Sequence, residues 1–250
     1  MNPFNQYFNR IFVLALQDDL VRQNQIREQL KGIEYEFIWG PNLRKMFPYA
    51  NHISDIPNDF FPQFDIDKAS VLHWTLGGLG CALGHRLMIK KAIESKESKF
   101  LLLEDDILLT DYAFKYFENA IKYVPINWEL LYLGYEYPSR LMKTSFPLSI
   151  KRFIGFLKRS NIIGLKAGVW GKNYFPVKIN DYLQKSGVCI GGHAYALTLE
   201  SAQKLYIQNS PLKYYSDPLL MENVYHGNIV SYNLVLSIIN QNKNIGSYTE

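Results

Sequence analysis

Cysteine is scarce in this 250-residue sequence, which contains two, Cys81 and Cys189. Two cysteines are too few for a disulfide framework, and their separation matches no zinc-binding or redox motif. We interpret both as free thiols of a protein from a reducing compartment. Long apolar runs are also missing, because no stretch approaches the ~18 residues that a membrane-spanning helix needs. The run at residues 11–16 is too short for a signal-peptide core and is interpreted as a strand.

Common nucleotide-binding and hydrolase motifs are absent as well. The run at 11–16 is followed by Gln17-Asp18-Asp19 instead of the glycine-rich fingerprint of a dinucleotide-binding fold, and no Walker loop occurs. The G-x-S-x-G and H-E-x-x-H motifs of the commonest hydrolases are missing too. A dehydrogenase, a P-loop enzyme and these hydrolase classes are therefore disfavoured.

The remaining composition is that of an ordinary globular protein. Hydrophobic residues make up 48% of the chain and charged residues 20%, which excludes disordered, collagen-like and coiled-coil proteins. The formal net charge of +4 is a mild bias toward anionic ligands or an acidic membrane surface. A chain of this length is long enough for one large domain or at most two small ones. We expect a single domain over residues 1–250.

Strand patterns alternate with helix patterns along the chain. Residues 41–64, rich in proline and asparagine, are predicted to form a long surface loop. Glycines in the opening turns of the helix at 76–93 predict close packing against a neighbouring element. The alternation indicates an α/β protein with a largely parallel sheet. Strands are predicted at 11–16, 35–39, 99–103, 129–133, 194–198 and 229–238, and the other helices at 20–30, 112–124, 200–208 and 217–224.

Three acidic residues, Glu104-Asp105-Asp106, follow directly after the predicted strand at 99–103. Because side chains alternate along a strand, Glu104 and Asp106 are expected to point the same way, with Asp105 opposed. Two convergent carboxylates suit Mg²⁺ or Mn²⁺, and open α/β sheets bind ligands at the carboxyl ends of their strands. The alternative is that Asp105 and Asp106 cap a following turn.

Four short blocks resemble glycosyltransferase family 25, which comprises enzymes of bacterial lipooligosaccharide synthesis and their relatives, the collagen galactosyltransferases. The order and spacing of the blocks carry this resemblance over most of the chain. The blocks are Ile11-Phe-Val-Leu-Ala-Leu with Arg22, Gly80-Cys81-Ala-Leu-Gly-His85, Leu103-Glu104-Asp105-Asp106-Ile107, and Gly192-His193-Ala194-Tyr195 with Ala202 and Asp217 downstream.

The resemblance implies a GT-A type fold, in which helices flank a mostly parallel, Rossmann-like central sheet. It further implies transfer of a hexose, commonly galactose, from a UDP-sugar to a glycan acceptor such as lipopolysaccharide or lipooligosaccharide, with inversion at the anomeric carbon. Mn²⁺ or Mg²⁺ would be held by Glu104 and Asp106. The sequence departs from the family pattern at Trp39-Gly40, where an acidic residue is usual, and at Gly84, where serine is usual.

Four further residues are candidates for binding or catalysis. Arg22, at the start of a predicted helix, could pair with the diphosphate of the donor, or it could be a solvated helix arginine. His85 could contact the nucleotide or hold the acidic residues, or it could be a satisfied core histidine. His193, which follows two glycines, could bind metal or sugar. Asp217 matches a family carboxylate and is the predicted general base, with helix capping as its alternative role.

Basic residues are segregated in one part of the chain. Residues 137–180 contain nine Lys and Arg and no Asp or Glu, and we treat about 137–190 as a basic insertion in the domain. Within it, residues 150–165 mix basic with apolar side chains, a pattern typical of a helix on an anionic membrane. A solvated surface is the alternative. We expect a cytoplasmic protein, peripheral at the inner face of the membrane if this segment binds lipid.

Two hypotheses about function remain after this reading. The first is a UDP-sugar-dependent hexosyltransferase, which the intact acidic triplet favours. The rival is a non-catalytic sugar- or nucleotide-binding protein on the same scaffold, which the missing carboxylate at Trp39 favours. Nucleic acid is not an expected partner, because the net charge is small and no recognised binding module occurs.

Overall fold

The computed structural model describes residues 2–137 and 173–245. Short 3₁₀ helices cover Ile53–Asp55, Ile121–Tyr123 and Lys243–Ile245. The α-helices are α1 (Pro3–Tyr7), α2 (Leu20–Gln29), α3 (Leu43–Met46), α4 (Phe60–Gln63), α5 (Lys68–Val71), α6 (Leu76–Ser95), α7 (Ala113–Ala120), α8 (Leu199–Gln208) and α9 (Ser216–His226). The strands are β1 (Arg10–Ala15), β2 (Glu36–Trp39), β3 (Lys99–Glu104), β4 (Ile107–Leu109), β5 (Leu130–Tyr132), β6 (Val177–Lys178), β7 (Leu183–Lys185), β8 (Ala194–Thr198), β9 (Ser231–Leu234) and β10 (Ile239–Gln241).

In the described part of the chain, eight strands form one sheet in the order β2-β1-β3-β8-β5-β9-β7-β6. β1 pairs in parallel with β2 and β3, and β5 with β9, whereas β7 and β8 are antiparallel to both of their neighbours. Six strands thus run in one direction and two against it. A separate antiparallel pair joins β10 to β4. The predicted α/β fold with a mostly parallel central sheet is confirmed.

The central strands are buried on both faces, which explains their continuous apolar runs. Residues 11–15 of β1 and 100–103 of β3 are all buried. Side chains of α1, α2 and α7 pack on one face of the sheet, among them Phe4, Ile26 and Phe117. Side chains of α6, α8 and α9 pack on the other face, among them Met88, Leu205 and Leu220.

Helix α6 lies unusually close to its neighbours. The Thr75 hydroxyl caps its N-terminus by accepting a hydrogen bond from Gly78 N at 3.0 Å. A Cβ placed on Gly80 would lie 2.8 Å from Pro41 O, and one on Gly84 would lie 2.5 Å from Leu14 Cδ1. The close packing predicted from the glycines is therefore confirmed, and it brings the first turns of α6 to the end of β1.

The stretch at 41–64 is not the plain surface loop that its proline and asparagine content predicted. It folds into α3, the 3₁₀ turn at Ile53–Asp55 and α4. Apolar side chains from these short elements, including Leu43, Ile53 and Phe61, are buried against the start of α6 in a separate cluster. Spaced apolar residues build this small core even though the helices that carry them are too short to show a periodic pattern.

The last strands of the sheet differ from the predicted elements. Of the strand expected at 229–238, the structure confirms β9 (Ser231–Leu234), and β10, which follows at residue 239, pairs with β4 in the other sheet. The amphipathic pattern at 150–165 lies outside the described residues. Among the helices described, none combines the length and the apolar character that crossing a bilayer requires.

Candidate active site

A cavity of about 860 Å³ lies where β1, β2 and β3 end. Its walls come from the segments that follow these strands, from the first turns of α6 and α9, and from the end of β10. Carboxyl ends of parallel strands are where open α/β sheets bind ligands. The charged residues that line the cavity are Arg22, Arg44, Lys45, Glu104, Asp105, Asp106 and Asp217.

The acidic residues form a turn at the floor of this cavity. β3 ends at Glu104, and Asp105 and Asp106 form the turn into β4. The expected alternation, with Asp105 opposed to its neighbours, is wrong, because all three residues line the cavity and the strand ends before it can impose an alternation. Asp105 and Asp106 are each 6% exposed, so their charges lie largely out of water.

Arg22 is paired with the acidic turn. Its Nη1 lies 2.8 Å from Asp105 Oδ1 and 4.0 Å from Asp106 Oδ2, and its Nη2 donates to Ile245 O at 3.2 Å. The backbone N–H of Arg22 donates to Asp19 Oδ1, which caps α2. The alternative of a solvated helix arginine is wrong, because Arg22 is 5% exposed. Arg22 lines the cavity while holding the carboxylates in place.

The two carboxylate oxygens of Asp106 differ in their hydrogen bonding. Oδ2 accepts a hydrogen bond from Gln241 Nε2 at 2.9 Å. Oδ1 is buried and, among the described residues, has no hydrogen-bond partner. Burial without compensation is costly for a carboxylate oxygen, so such an atom indicates a missing cationic or donor group. Asp106 and Glu104 are carboxylates of the type that hard divalent cations prefer.

Glu104 is linked to His85 and through it to Tyr195. His85 Nε2 lies 2.9 Å from Glu104 Oε1, and His85 Nδ1 lies 3.1 Å from the Tyr195 hydroxyl. Of the three roles considered for His85, the contact with Glu104 matches that of holding the acidic residues, and its burial with partners at both ring nitrogens also matches a satisfied core histidine. His85 is 2% exposed and is not part of the cavity wall. The structure therefore places it behind the site.

The three carboxyl groups differ in protonation behaviour. Burial raises the pKa of Asp105 to about 6, although the nearby Arg22 guanidinium opposes this effect. Burial and the negative charge of Glu104 raise the pKa of Asp106. Burial also acts to raise the pKa of Glu104, but the hydrogen bond and charge of His85 outweigh it and hold that pKa below its ordinary value.

Asp217, near the start of α9, lines the same cavity as the acidic turn. Its Oδ1 accepts hydrogen bonds from Gly191 N at 3.0 Å and Gly192 N at 2.7 Å. The alternative role of helix cap is not seen, because α9 begins at Ser216 and Tyr215 occupies its cap position. Burial and the charge of Glu104 raise the pKa of Asp217, while the two N–H groups lower it. The result is a carboxylate of fixed orientation and increased basicity.

The sequence profile of glycosyltransferase family 25, described as an LPS biosynthesis protein family, matches residues 8–220. This match spans most of the chain and includes Arg22, the acidic turn and Asp217. The chain belongs to glycosyltransferase family 25. The family resemblance of the sequence is thereby confirmed, and the protein is a glycosyltransferase.

Several solved structures are distantly similar to this family 25 chain. Galactosyltransferase LgtC, in complex with donor and acceptor sugar analogues, is 14% identical with a TM-score of 0.36, covering 87% of this chain and 71% of that one. Inositol-1-phosphate CTP transferase from T. maritima is 10% identical with a TM-score of 0.40, covering 94% and 89%. Mouse xyloside xylosyltransferase 1, in its apo form, is 12% identical with a TM-score of 0.36, covering 91% and 72%. No curated protein sequence matches the chain.

Two residues singled out in the sequence lie beside the family 25 site rather than in its wall. His193 is 6% exposed, its Nε2 lies 3.3 Å from Ile239 O, and its backbone oxygen accepts from Glu104 N at 3.0 Å. His193 thus contacts the end of β3 through its backbone. Trp39 is 41% exposed and stacks on Phe37 without lining the cavity.

Several residues that line this cavity or contact its acidic turn were not predicted from the sequence. Gln241 holds Asp106 from a strand 135 residues away, and no local pattern marks it. Tyr215 lines the cavity and stacks on Trp74 with ring centroids 3.8 Å apart. Cys81 lines the cavity one helical turn before His85, a spacing visible in the sequence. Arg44 and Lys45 also line the cavity, and they were missed because they lie in the stretch predicted to be a surface loop.

Proposed function

We propose that this glycosyltransferase transfers a hexose, with galactose as the first candidate, from a UDP-sugar to a glycan acceptor such as lipopolysaccharide or lipooligosaccharide. The observation that carries the proposal is one cavity lined by both the acidic turn and Asp217. These charged groups match the two needs of the reaction, a stabilised diphosphate leaving group and an acceptor hydroxyl that loses its proton. The proposal treats residues 1–250 as one catalytic domain that carries the basic insertion.

The acidic turn is the proposed metal site. Asp106 Oδ1, buried and without a hydrogen bond from the described residues, and the neighbouring Glu104 would hold Mn²⁺ or Mg²⁺. When bound, such an ion neutralises charge that develops on the leaving diphosphate. Arg22 positions the turn through its bond to Asp105, and Gln241 fixes the second oxygen of Asp106.

Asp217 is the proposed general base. The acceptor oxygen forms a bond to the anomeric carbon while the bond from that carbon to the UDP oxygen breaks, which inverts the configuration. The hydroxyl proton passes to the Asp217 carboxylate, whose raised pKa favours proton acceptance. The N–H groups of Gly191 and Gly192 hold Oδ1 of this carboxylate, so its orientation does not have to be set during the reaction.

We also propose where in the cell the enzyme acts. The reaction takes place in the cytoplasm, and the basic insertion brings the enzyme to an anionic membrane surface or to an anionic acceptor. What supports this part is the charge segregation of residues 137–180 in the sequence.

A panel of UDP-sugars tests the proposal. Each donor is incubated with the full chain, with and without Mn²⁺ or Mg²⁺, and hydrolysis or transfer is measured. Metal-dependent release of UDP from one hexose donor supports the proposal and identifies that donor. Binding of a donor without turnover under any metal condition contradicts it and favours the rival, a sugar- or nucleotide-binding protein. The exposed Trp39, where a carboxylate is usual, is the observation on the side of the rival.

A further inference from the structure

Three side chains with different ligand atoms converge at the inner edge of the cavity. Cys81 and His85 are four residues apart on α6 and therefore lie on the same helix face. Glu104, at the end of β3, faces them. The Cys81 Sγ, a ring nitrogen of His85 and a carboxylate oxygen of Glu104 all lie within 4.8 Å of one another.

We propose that Cys81, His85 and Glu104 form a binding site for a thiophilic divalent ion, with Zn²⁺ as the first candidate, which overlaps the oxygen-rich acidic turn at Glu104. Thiolate, imidazole and carboxylate are the ligands that proteins offer to Zn²⁺, whereas Mn²⁺ and Mg²⁺ prefer oxygen. Three protein ligands leave a fourth tetrahedral position. Because Cys81 and Glu104 line the cavity, the ion can enter from it and the fourth position can take water.

The histidine is already oriented as a ligand. Metal-bound histidines usually donate their other ring N–H to a fixed partner, and His85 Nδ1 lies 3.1 Å from the Tyr195 hydroxyl. This leaves Nε2 directed at Glu104 Oε1, 2.9 Å away. Two ligands at bond lengths of ~2.0–2.1 Å and a tetrahedral angle are ~3.3 Å apart, so these atoms need to separate by a few tenths of an ångström. Rotation of the cysteine and glutamate side chains provides the remaining adjustment.

Binding of the ion converts the thiol of Cys81 to a thiolate. The S–H bond breaks, the S–Zn bond forms, and the proton passes through the cavity to the buffer. Burial raises the pKa of the Cys81 thiol, so without a metal this residue stays protonated and unreactive. The ion therefore supplies the positive charge that a thiolate at this position requires.

The two metal sites share one residue. Glu104 belongs to the proposed acidic site and to the cysteine site, so an ion held by Cys81 and His85 withdraws this carboxylate from the acidic turn. Zn²⁺ is therefore expected to inhibit transfer in competition with Mn²⁺ or Mg²⁺. This consequence rests on the proposed function, whereas the existence of the cysteine site does not.

Titrations of Zn²⁺ against a chromophoric chelator, on the purified full chain without any donor sugar, test the site. Cys81→Ser should weaken Zn²⁺ binding by roughly 10²-fold or more, beyond the ~10–100-fold typical of losing an outer partner. Tyr195→Phe should weaken Zn²⁺ binding by only ~10–100-fold, because Tyr195 is an outer partner of His85. Cys189→Ala is the matched control, because Cys189 is buried away from the cavity and its loss should leave the affinity unchanged.

A second measurement does not depend on how the variants fold. Co²⁺ added to the wild-type chain should produce the charge-transfer absorption of a thiolate ligand, and Zn²⁺ should abolish it. Absence of that absorption, or equal Zn²⁺ affinity in wild type and a folded Cys81→Ser variant, overturns the proposal. Since neither measurement involves a sugar nucleotide, failure of this site is distinguishable from failure of the proposed transferase activity.

Discussion

Arg22 and Asp105 form a buried ion pair, with Nη1 2.8 Å from Oδ1 across a sequence separation of 83 residues. Their side chains are 6% and 7% exposed. The pair ties the start of α2 to the turn that follows β3, so the arginine predicted to reach a diphosphate also fixes the carboxylates beside it. Replacing one partner of such a pair by an apolar residue leaves the other as an uncompensated buried charge.

Replacement of Arg22 should therefore destabilise the fold. Arg22→Met is expected to lower the free energy of unfolding by about 3–5 kcal/mol, measured by denaturant titration. The double variant Arg22→Met with Asp105→Asn should recover much of this loss, because no unpaired charge remains. Arg27→Met, an exposed position on the same helix, serves as the control. Equal stability of Arg22→Met and wild type would contradict the structural role of the pair.

Asp106→Asn should abolish metal-dependent turnover and leave the fold intact. The substitution preserves size but removes the charge of a carboxylate whose Oδ1 has no hydrogen-bond partner in the described part of the chain. Loss of one electrostatic contact to a transition state lowers kcat by ~10²–10³-fold. Turnover is measured across a range of Mn²⁺ concentrations, with circular dichroism as the test of folding. Glu104→Gln should reduce activity less, because Gln can keep a contact with His85. Asp111→Asn, at an exposed position nearby, is the control and should have wild-type activity. Wild-type activity of Asp106→Asn would show that the acidic turn has only a structural role.

Asp217→Asn should separate donor binding from transfer. The asparagine oxygen can still accept from Gly191 and Gly192, so the cavity keeps its shape, but the proposed general base is lost. Transfer should fall by ~10²–10⁴-fold while UDP-sugar affinity, measured by calorimetry, stays unchanged. Glu222→Gln, on the exposed face of the same helix, is the matched control. A normal transfer rate would remove Asp217 from the mechanism, and lost donor affinity would move it into the donor site.

The pH dependence of kcat/KM should carry the signature of Asp217. A general base acts in its deprotonated form, so activity is lost as pH falls through its pKa. Because that pKa is raised from 3.8, the acid limb should lie at higher pH than for an ordinary aspartate. Asp105, whose pKa is about 6, titrates in the acid range as well, so the profiles of wild type and Asp217→Asn are compared. Identical acid limbs in the two proteins would argue against the assignment.

The basic insertion should contribute to binding of anionic membranes. Neutralising Lys151, Arg152, Lys158 and Arg159 is expected to reduce sedimentation with anionic liposomes, and the wild-type interaction should weaken as salt rises. UDP-sugar hydrolysis by the variant should persist, because the substitution leaves the cavity residues in place. If both proteins bind the liposomes equally, the insertion is an ordinary solvated surface.

Local patterns predicted much of the sheet and the acidic turn. The apolar runs of β1 and β3 arise because both strands are covered on two faces, and the acidic residues stand out because they end such a run. The antiparallel direction of β8 could not be predicted, since a short apolar run looks the same in either direction. Its position between β3 and β5 is decided by packing across the whole chain.

Contacts between distant residues escaped sequence reasoning. Nothing near Arg22 indicates that Asp105 is its partner, and nothing near Gln241 indicates Asp106, because each pair is brought together by the order of the strands. The surroundings of Asp217 are a similar case. A carboxylate that precedes proline at the start of a helix is typical of capping, yet this one bonds the backbone of Gly191 and Gly192.

The acidic turn draws its contacts from early, middle and late parts of the chain, and this has a consequence for synthesis. Gln241 binds Asp106, and Ile245 O accepts from Arg22, so the turn is complete once these late residues are in place. Domains begin to fold from the N-terminal side as the ribosome releases them. The pairing of β1 with β2 and β3 can therefore form on a nascent chain whose acidic turn is still unfinished. Competence to bind ligand then arises only after residue 245 has emerged from the ribosome.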